Sequence, residues 1–255
     1  MGILDGKVAL VTGAMGDMGR AACRRFAAEG AAVVATDVTD IGAEEFVDEL
    51  TAIGHDVEFY KADITDSSAV NAMAEHVRST RGHVDTIYNN AGVMAVSPLA
   101  DITDEQWHRT LDVNLTGVFL VTRAFVPLMR GRRGASITNV SSMGGFRVYP
   151  TQIPYGASKA GCLQLTQSCA VELAPDIRVN AIAPGCIDTQ MARGYADASP
   201  DPAAVIAALE AGIPLGRMGT PDEIVNIGVW LASDQASYVT GAILVVDGGS
   251  TLEGK

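Results

Sequence analysis

Lys7-Val-Ala-Leu-Val-Thr-Gly-Ala-Met-Gly-Asp-Met-Gly-Arg20, continuing as Ala21-Ala-Cys-Arg-Arg-Phe-Ala-Ala-Glu-Gly30, decides the fold. Its first six residues (Lys7–Thr12) form an apolar, β-branched run of the kind that makes a strand buried on both faces. Gly13, Gly16 and Gly19 follow within one turn, and a helical pattern then runs through Arg20–Glu29 until Gly30 ends it. Glycines in such a turn let the backbone fold tightly and approach a diphosphate, whose charge a helix N-terminus stabilises.

The alternation continues outward from this unit. Ala32–Thr36, Val57–Lys61, Thr86–Asn89, Ser136–Val140, Arg178–Ile182 and Ala242–Val246 read as further strands. Helices are expected over Ile41–Ile53, Ser67–Thr80, Asp104–Met129, Gly156–Leu173 and Asp222–Ala232. Strand and helix in repeated succession imply right-handed crossovers, and so a doubly wound parallel sheet of about seven strands with helices on both faces. No Gly/Ser- or Pro-rich linker divides the chain, so residues 1–255 are expected to form a single domain. The stretch 190–216, with Pro200, Pro202 and Pro214 around an Ala-rich helical patch, interrupts the rhythm and is expected to form a substrate loop or lid.

Composition narrows the function classes. With 48% apolar and 19% charged residues, the 255-residue chain has material for a large core. A net charge of -12 disfavours nucleic acid and anionic membrane as partners, and the Arg130–Gly134 cluster (RGRRG) reads as a solvated loop. Cys23, Cys162, Cys169 and Cys186 lack CxxC spacing, and the four histidines form no HxH or HExxH pattern, so no metal is expected. Met1 is followed by GILDGKVALVTG, without a basic region leading into a long apolar one, and no uninterrupted apolar run approaches about 18 residues. A cytoplasmic enzyme is the expectation.

Asp37 stands after the second strand, where a carboxylate would accept hydrogen bonds from both ribose hydroxyls of an adenosine. It would repel a 2′-phosphate: two unit charges ~5 Å apart at an effective dielectric near 20 interact by roughly 3 kcal/mol. No Arg or Lys occupies the glycine turn or Val38, so NAD is favoured over NADP. The bland alternative is that Asp37 starts the turn Asp-Val-Thr-Asp. Asp63, in Ala62-Asp63-Ile64, follows the third strand and could meet the adenine edge.

Tyr155-Gly-Ala-Ser-Lys159 puts a phenol and an ammonium four residues apart on one helix face. A free tyrosine titrates near about 10, and a neighbouring cation would favour its phenolate for proton exchange. Ser142, at the end of the Ser136–Val140 strand, could hold a substrate oxygen.

With these motifs in order, the chain resembles the short-chain dehydrogenase/reductase family, in its branch with a single Rossmann-type domain of about 250 residues. The resemblance runs from Leu4 to Gly249: the glycine turn, Asp63-Ile64, Asn89-Asn90-Ala91-Gly92, Asn114, Ser142, Tyr155 with Lys159, Pro184-Gly185 with Ile187 and Thr189, and the ending Tyr238–Gly241 and Val246–Gly249. It implies Tyr155 as general acid or base and Lys159 as its tuning cation and ribose ligand. Ser142 would orient the carbonyl, and Asn114 would anchor a relay water.

The cofactor would touch Gly13, Asp17, Met18, Gly19, Asp37, Val38, Asp63, Ile64, Asn90, Ala91 and Gly92. Its nicotinamide would lie beside Tyr155, Lys159, Pro184, Gly185, Ile187 and Thr189. The activity implied is interconversion of a secondary alcohol and a ketone, and the assembly implied is a homotetramer. Substrate contacts are expected around Met94, Ser142, Met143, Gly144, Gln152, Ile153, Tyr155, Cys186, Met191 and Tyr195, which favours a hydrophobic or uncharged substrate. Arg147 and Arg193, the nearby cations, keep a 3-oxoacyl thioester reductase open. A non-catalytic dinucleotide sensor is the rival from another class.

Asp17 departs from the family turn, which usually carries glycine there. It is expected to cap the helix, its side chain on the amides of Gly19 or Arg20, and to weaken dinucleotide affinity.

Overall fold

The computed structural model describes residues 2–197 and 199–252. Seven strands, β1 (Val8–Thr12), β2 (Ala32–Asp37), β3 (Val57–Lys61), β4 (Thr86–Asn89), β5 (Ala135–Val140), β6 (Ile177–Pro184) and β7 (Ile243–Val246), form one parallel sheet in the order β3-β2-β1-β4-β5-β6-β7. Register places Val8 opposite Ala32 on one side of β1 and Ala9 opposite Thr86 on the other.

Alternate residues of the strands enter two cores, which is why the strands read as continuous apolar runs. Ala9, Val11, Val33 and Ala35 pack under α1 (Asp17–Ala28), α2 (Ala43–Ala52) and α9 (Pro221–Ala232). Val8, Leu10, Val34, Ile87 and Ile137 pack on the opposite face. That face is covered by α3 (Ser67–Thr80), by the helices α4 (Asp104–Leu111) and α5 (Gly117–Met129), and by α6 (Ile153–Glu172). The chain is a Rossmann-type doubly wound α/β fold, as the strand–helix alternation implies.

Two expectations are corrected in detail, and the helical patch expected within 190–216 is found. Helix α1 begins at Asp17, not Arg20, because Gly16 serves as its N-cap. The expected single helix Asp104–Met129 carries one π turn at Asp112–Thr116, which divides α4 from α5. The 190–216 segment holds two helices, α7 (Gln190–Asp197) and α8 (Pro202–Ala211), while Ala198 lies outside the described residues.

The run Asp104–Met129 is long and apolar enough, by length and composition, to cross a membrane. Its residues Val121, Phe125 and Met129 are nonetheless fully buried in the second core.

Asp85 clamps the edge of the sheet at the strands' amino ends. Its carboxylate, 3% exposed, accepts hydrogen bonds from the Val8 amide at 2.8 Å and from Arg132 Nε at 2.8 Å. The strands' carboxyl ends, at the opposite edge, carry the site.

Candidate active site

In an open parallel sheet the ligand crevice forms outside the carboxyl ends of the strands, where strand order reverses. Here the reversal falls between β1 and β4. A cavity of about 820 Å³ lies there, lined by residues from nearly every strand end.

Every cofactor position expected from the sequence lies on its wall. The glycine turn contributes Gly13, Asp17, Met18 and Gly19. Asp37 and Val38 come from the end of β2, Asp63 and Ile64 from the end of β3, and Asn90, Ala91 and Gly92 from the end of β4. Tyr155 and Lys159 come from α6; Pro184, Gly185, Ile187 and Thr189 follow β6.

The turn is held closed from below. Thr12 Oγ1 accepts the amides of Asn90 and Ala91 at 3.0 and 3.2 Å, and Asn90 Nδ2 donates to the carbonyls of Thr12 and Gly13. Gly13 adopts φ +65°, and a Cβ built on it would stand 2.7 Å from Ala91 Cα. A Cβ on Gly19 would stand 1.9 Å from the Gly13 carbonyl oxygen. Gly19→Ala therefore has to displace backbone. It is expected to cost about 1–3 kcal/mol of stability and to weaken dinucleotide binding, read by urea unfolding and NADH titration; an unchanged midpoint would refute the packing account.

The expected capping of α1 by Asp17 is not what the fold shows. Gly16 offers no side-chain cap, so the first amides of α1, carried by residues that line the cavity, have no capping side chain. That is the arrangement a diphosphate needs. The Asp17 carboxylate instead accepts a hydrogen bond from the Gln190 amide at 2.6 Å, across the cavity mouth.

Asp37 both starts a turn, accepting the Thr39 amide at 3.2 Å, and braces the glycine turn, accepting the Met15 amide at 3.0 Å. Its oxygens retain lone pairs for ribose hydroxyls. Arg20, the cation nearest the turn in sequence, is spent elsewhere: Nε donates to the Met15 carbonyl, and the guanidinium stacks on Phe46 at 4.7 Å. Asp63, exposed on the cavity wall, closes a local turn onto Thr65, accepting its amide and hydroxyl at 2.9 and 2.7 Å.

At the chemical end, Lys159 is 4% exposed, donates to the Val140 carbonyl at 2.8 Å, and places Nζ 5.7 Å from the Tyr155 ring centre. Ser141 Oγ donates to the Lys159 carbonyl at 2.9 Å, fixing α6 to the end of β5. Ser142 Oγ accepts the Gly144 amide at 3.0 Å, which leaves its own proton to donate.

Asn114 is the one expected catalytic residue that does not line the cavity. It is 1% exposed on the π turn, where Oδ1 accepts the Val93 amide at 2.8 Å. Its Nδ2 donates to the Val93 carbonyl at 2.8 Å and to Ser158 Oγ at 3.0 Å. These bonds tie the loop after β4, which carries Gly92, to the helix that carries Tyr155.

Met94, Met143, Gln152, Cys186, Met191 and Tyr195 line the cavity as expected, whereas Gly144 and Ile153 line a smaller neighbouring recess. Burial, and after it Asp188, push the Cys186 thiol upward, so it stays protonated and weakly nucleophilic. The two cations expected near substrate lie off the wall. Arg193 is paired with Asp188 at 2.8 and 2.9 Å, and Arg147 donates to the Ser250 carbonyl.

Sequence reading missed Tyr149 and Leu209, which carry no motif, and the face made by Glu105, His108 and Arg109 of α4 with Asp112 of the π turn. That last group has a signal, an i, i+3, i+4, i+7 polar stripe just before Asn114. Among the described residues no group of three His, Cys, Asp or Glu side chains could hold a metal ion.

Residues 13–251 match the family model described as Enoyl-(Acyl carrier protein) reductase. The chain is 40% identical over 250 residues to 3-oxoacyl-(acyl-carrier-protein) reductase FabG of Thermotoga maritima, covering 98% of this chain and 99% of that protein. It is 42% identical over 252 residues to 3beta-hydroxysteroid dehydrogenase 1 of Eggerthella lenta, covering 98% and 95%. Among solved structures it resembles a short-chain type dehydrogenase/reductase from Mycobacterium marinum, with TM-score 0.91 and 35% identity over 98% of this chain and 97% of that one.

Proposed function

We propose that this chain, which belongs to the short-chain dehydrogenase/reductase family, is an NAD(H)-dependent oxidoreductase interconverting a secondary alcohol and a ketone. The observation that carries the reading is one continuous cavity joining the glycine turn and Asp37 to Ser142, Tyr155 and Lys159. When bound, the dinucleotide supplies the hydride acceptor or donor.

The chain's own residues do the rest. Ser142 donates its free hydroxyl proton to the substrate oxygen. Tyr155 Oη removes the alcohol proton in oxidation and returns it in reduction. Lys159, held by the Val140 carbonyl with Nζ 5.7 Å from the Tyr155 ring centre, puts a positive charge near the phenol that favours its phenolate, and would donate to the nicotinamide ribose. Asn114 is a positioning residue, which fixes the Val93 backbone and α6 relative to each other; the relay water that the family resemblance implies would sit beside it.

The turn amides at the start of α1 would hold the diphosphate, and Asp37 would hold the adenosine ribose. For Asp37→Asn, the NADP-to-NAD ratio of kcat/KM is expected to rise about tenfold to a hundredfold, from the loss of roughly 3 kcal/mol of repulsion less screening. A ratio that does not move would remove Asp37 as the basis of NAD preference.

Met94, Met143, Cys186 and Met191 leave the substrate end apolar, which supports a hydrophobic, uncharged alcohol. NAD reduction across a panel of secondary alcohols, diols, sugars and sterols tests the reading. Failure to bind NADH would overturn it, and tight NADH binding with no turnover of any member would favour the dinucleotide sensor. A 3-oxoacyl thioester reductase is the second reading, favoured by the name of the Thermotoga relative. The occupied Arg147 and Arg193 count against it, since neither is free for an acidic carrier.

The same reading takes the chain as a single cytoplasmic domain acting as a homotetramer on a small molecule, with 190–216 as its substrate lid. The net charge of -12 argues against nucleic acid and anionic membrane as partners.

A further inference from the structure

The glycine turn and α7 are 173 residues apart in sequence, yet one hydrogen bond joins them: Gln190 N–H donates to Asp17 Oδ2 at 2.6 Å. Asp17 is the first residue of α1, and Gln190 the first of α7, so the bond links the start of the cofactor helix to the start of the helix beside the substrate end. Both residues line the cavity, as do Met191 and Tyr195 further along α7. Among the described residues no cation bonds to the carboxylate: the guanidinium of Arg193 is taken by Asp188 in a two-bond pair, and Asp17 acts on it only through space, as a lesser cause of its raised pKa. Among the described residues, the Gln190 amide is the hydrogen-bond partner of Asp17.

We propose that Asp17 is a charged latch: its carboxylate holds α7 over the alcohol site, and its charge sets how weakly the turn accepts a dinucleotide. The proposal rests on the reading above that the turn binds a diphosphate. The physical basis is a competition. The amides at the start of α1 favour a single concentration of negative charge, and Asp17 already places one there. A diphosphate brought to the same amides meets a like charge, which screening reduces but does not abolish. The carboxylate either stays, and costs affinity, or swings away and frees Gln190.

Dinucleotide binding and the position of α7 are therefore linked, and linkage is reciprocal: whatever holds α7 down through Asp17 alters dinucleotide affinity by the same factor.

Two substitutions separate charge from latch. Asp17→Asn keeps a carbonyl oxygen to accept from Gln190 but removes the charge. Asp17→Gly removes both. NADH affinity, followed by the fluorescence of the bound nucleotide, is expected to tighten roughly tenfold in Asp17→Asn and at least as much in Asp17→Gly. Amide hydrogen exchange over residues 190–197 in the protein without nucleotide is expected to stay slow in Asp17→Asn and to accelerate in Asp17→Gly. KM for the alcohol should rise only in Asp17→Gly.

Unchanged NADH affinity in both variants overturns the charge half. Equal exchange in wild type and Asp17→Gly overturns the latch. Wild type that binds neither NADH nor NADPH, with exchange still faster in Asp17→Gly, leaves the latch standing and overturns the dinucleotide reading instead.

Discussion

Tyr155→Phe is expected to lower kcat by about 10²- to 10⁴-fold, the range a positioned general acid or base supplies, while the fold and NADH binding persist. The substitution deletes one oxygen and keeps the ring. That ring sits in the first turn of α6, partly exposed to the cavity, with Lys159 Nζ 5.7 Å from its centre. Among the described residues the Tyr155 hydroxyl makes no hydrogen bond, so its removal orphans no buried partner, and stability should change by less than about 0.5 kcal/mol. Single-turnover kinetics with NADH titration check both halves. A loss of kcat below tenfold would reassign the proton transfer, with Ser142 the next group on the wall. A loss of NADH binding would instead mean the phenol is a cofactor ligand first.

Asp85→Ala is expected to do the reverse, costing about 3 kcal/mol of stability and leaving kcat unchanged in the folded fraction. Its carboxylate is buried and accepts both the Val8 amide and Arg132 Nε. Removing it leaves the buried Val8 N–H without a partner, at about 1–3 kcal/mol, and ends a charge-assisted bond of about 1.5–3 kcal/mol. Arg132, about two-fifths exposed, regains water and holds the total near the lower bound. Urea unfolding at fixed protein concentration measures the cost. A change under about 1 kcal/mol would show that water replaces the carboxylate at this edge. The pair of variants divides the sheet: the strands' amino ends carry stability at Asp85, their carboxyl ends carry chemistry at Tyr155.

Much of the site is visible in the chain because its parts are local. The glycine turn needs a strand before it and a helix after it, and Lys7–Gly30 shows both. Asp37 follows an apolar strand, and Tyr155 and Lys159 are one helical turn apart, so neither requires knowledge of distant contacts. Helix starts were less legible. Gly16 as N-cap brought Asp17 into α1, and the π turn at Asp112–Thr116 is a one-residue adjustment that composition does not announce.

Long-range partners were invisible for a simple reason: a side chain's local pattern does not say which distant backbone group it will meet. Asp17 reads as a cap and reaches Gln190; Asn114 reads as the anchor of a relay water, and its amide binds Val93 and Ser158. Arg147 and Arg193 looked available to substrate, and the fold spends them on Ser250 and Asp188.

By itself the sequence determined the doubly wound sheet, because hydrophobic period and glycine punctuation act over neighbouring residues and leave few alternatives for burying two faces. It also determined which residues gather at the carboxyl ends of the strands. Only the tertiary structure decided what each of them holds. Whether a carboxylate caps its own helix or bridges to another depends on the few ångströms between α1 and α7, and that separation is set by packing across the whole sheet.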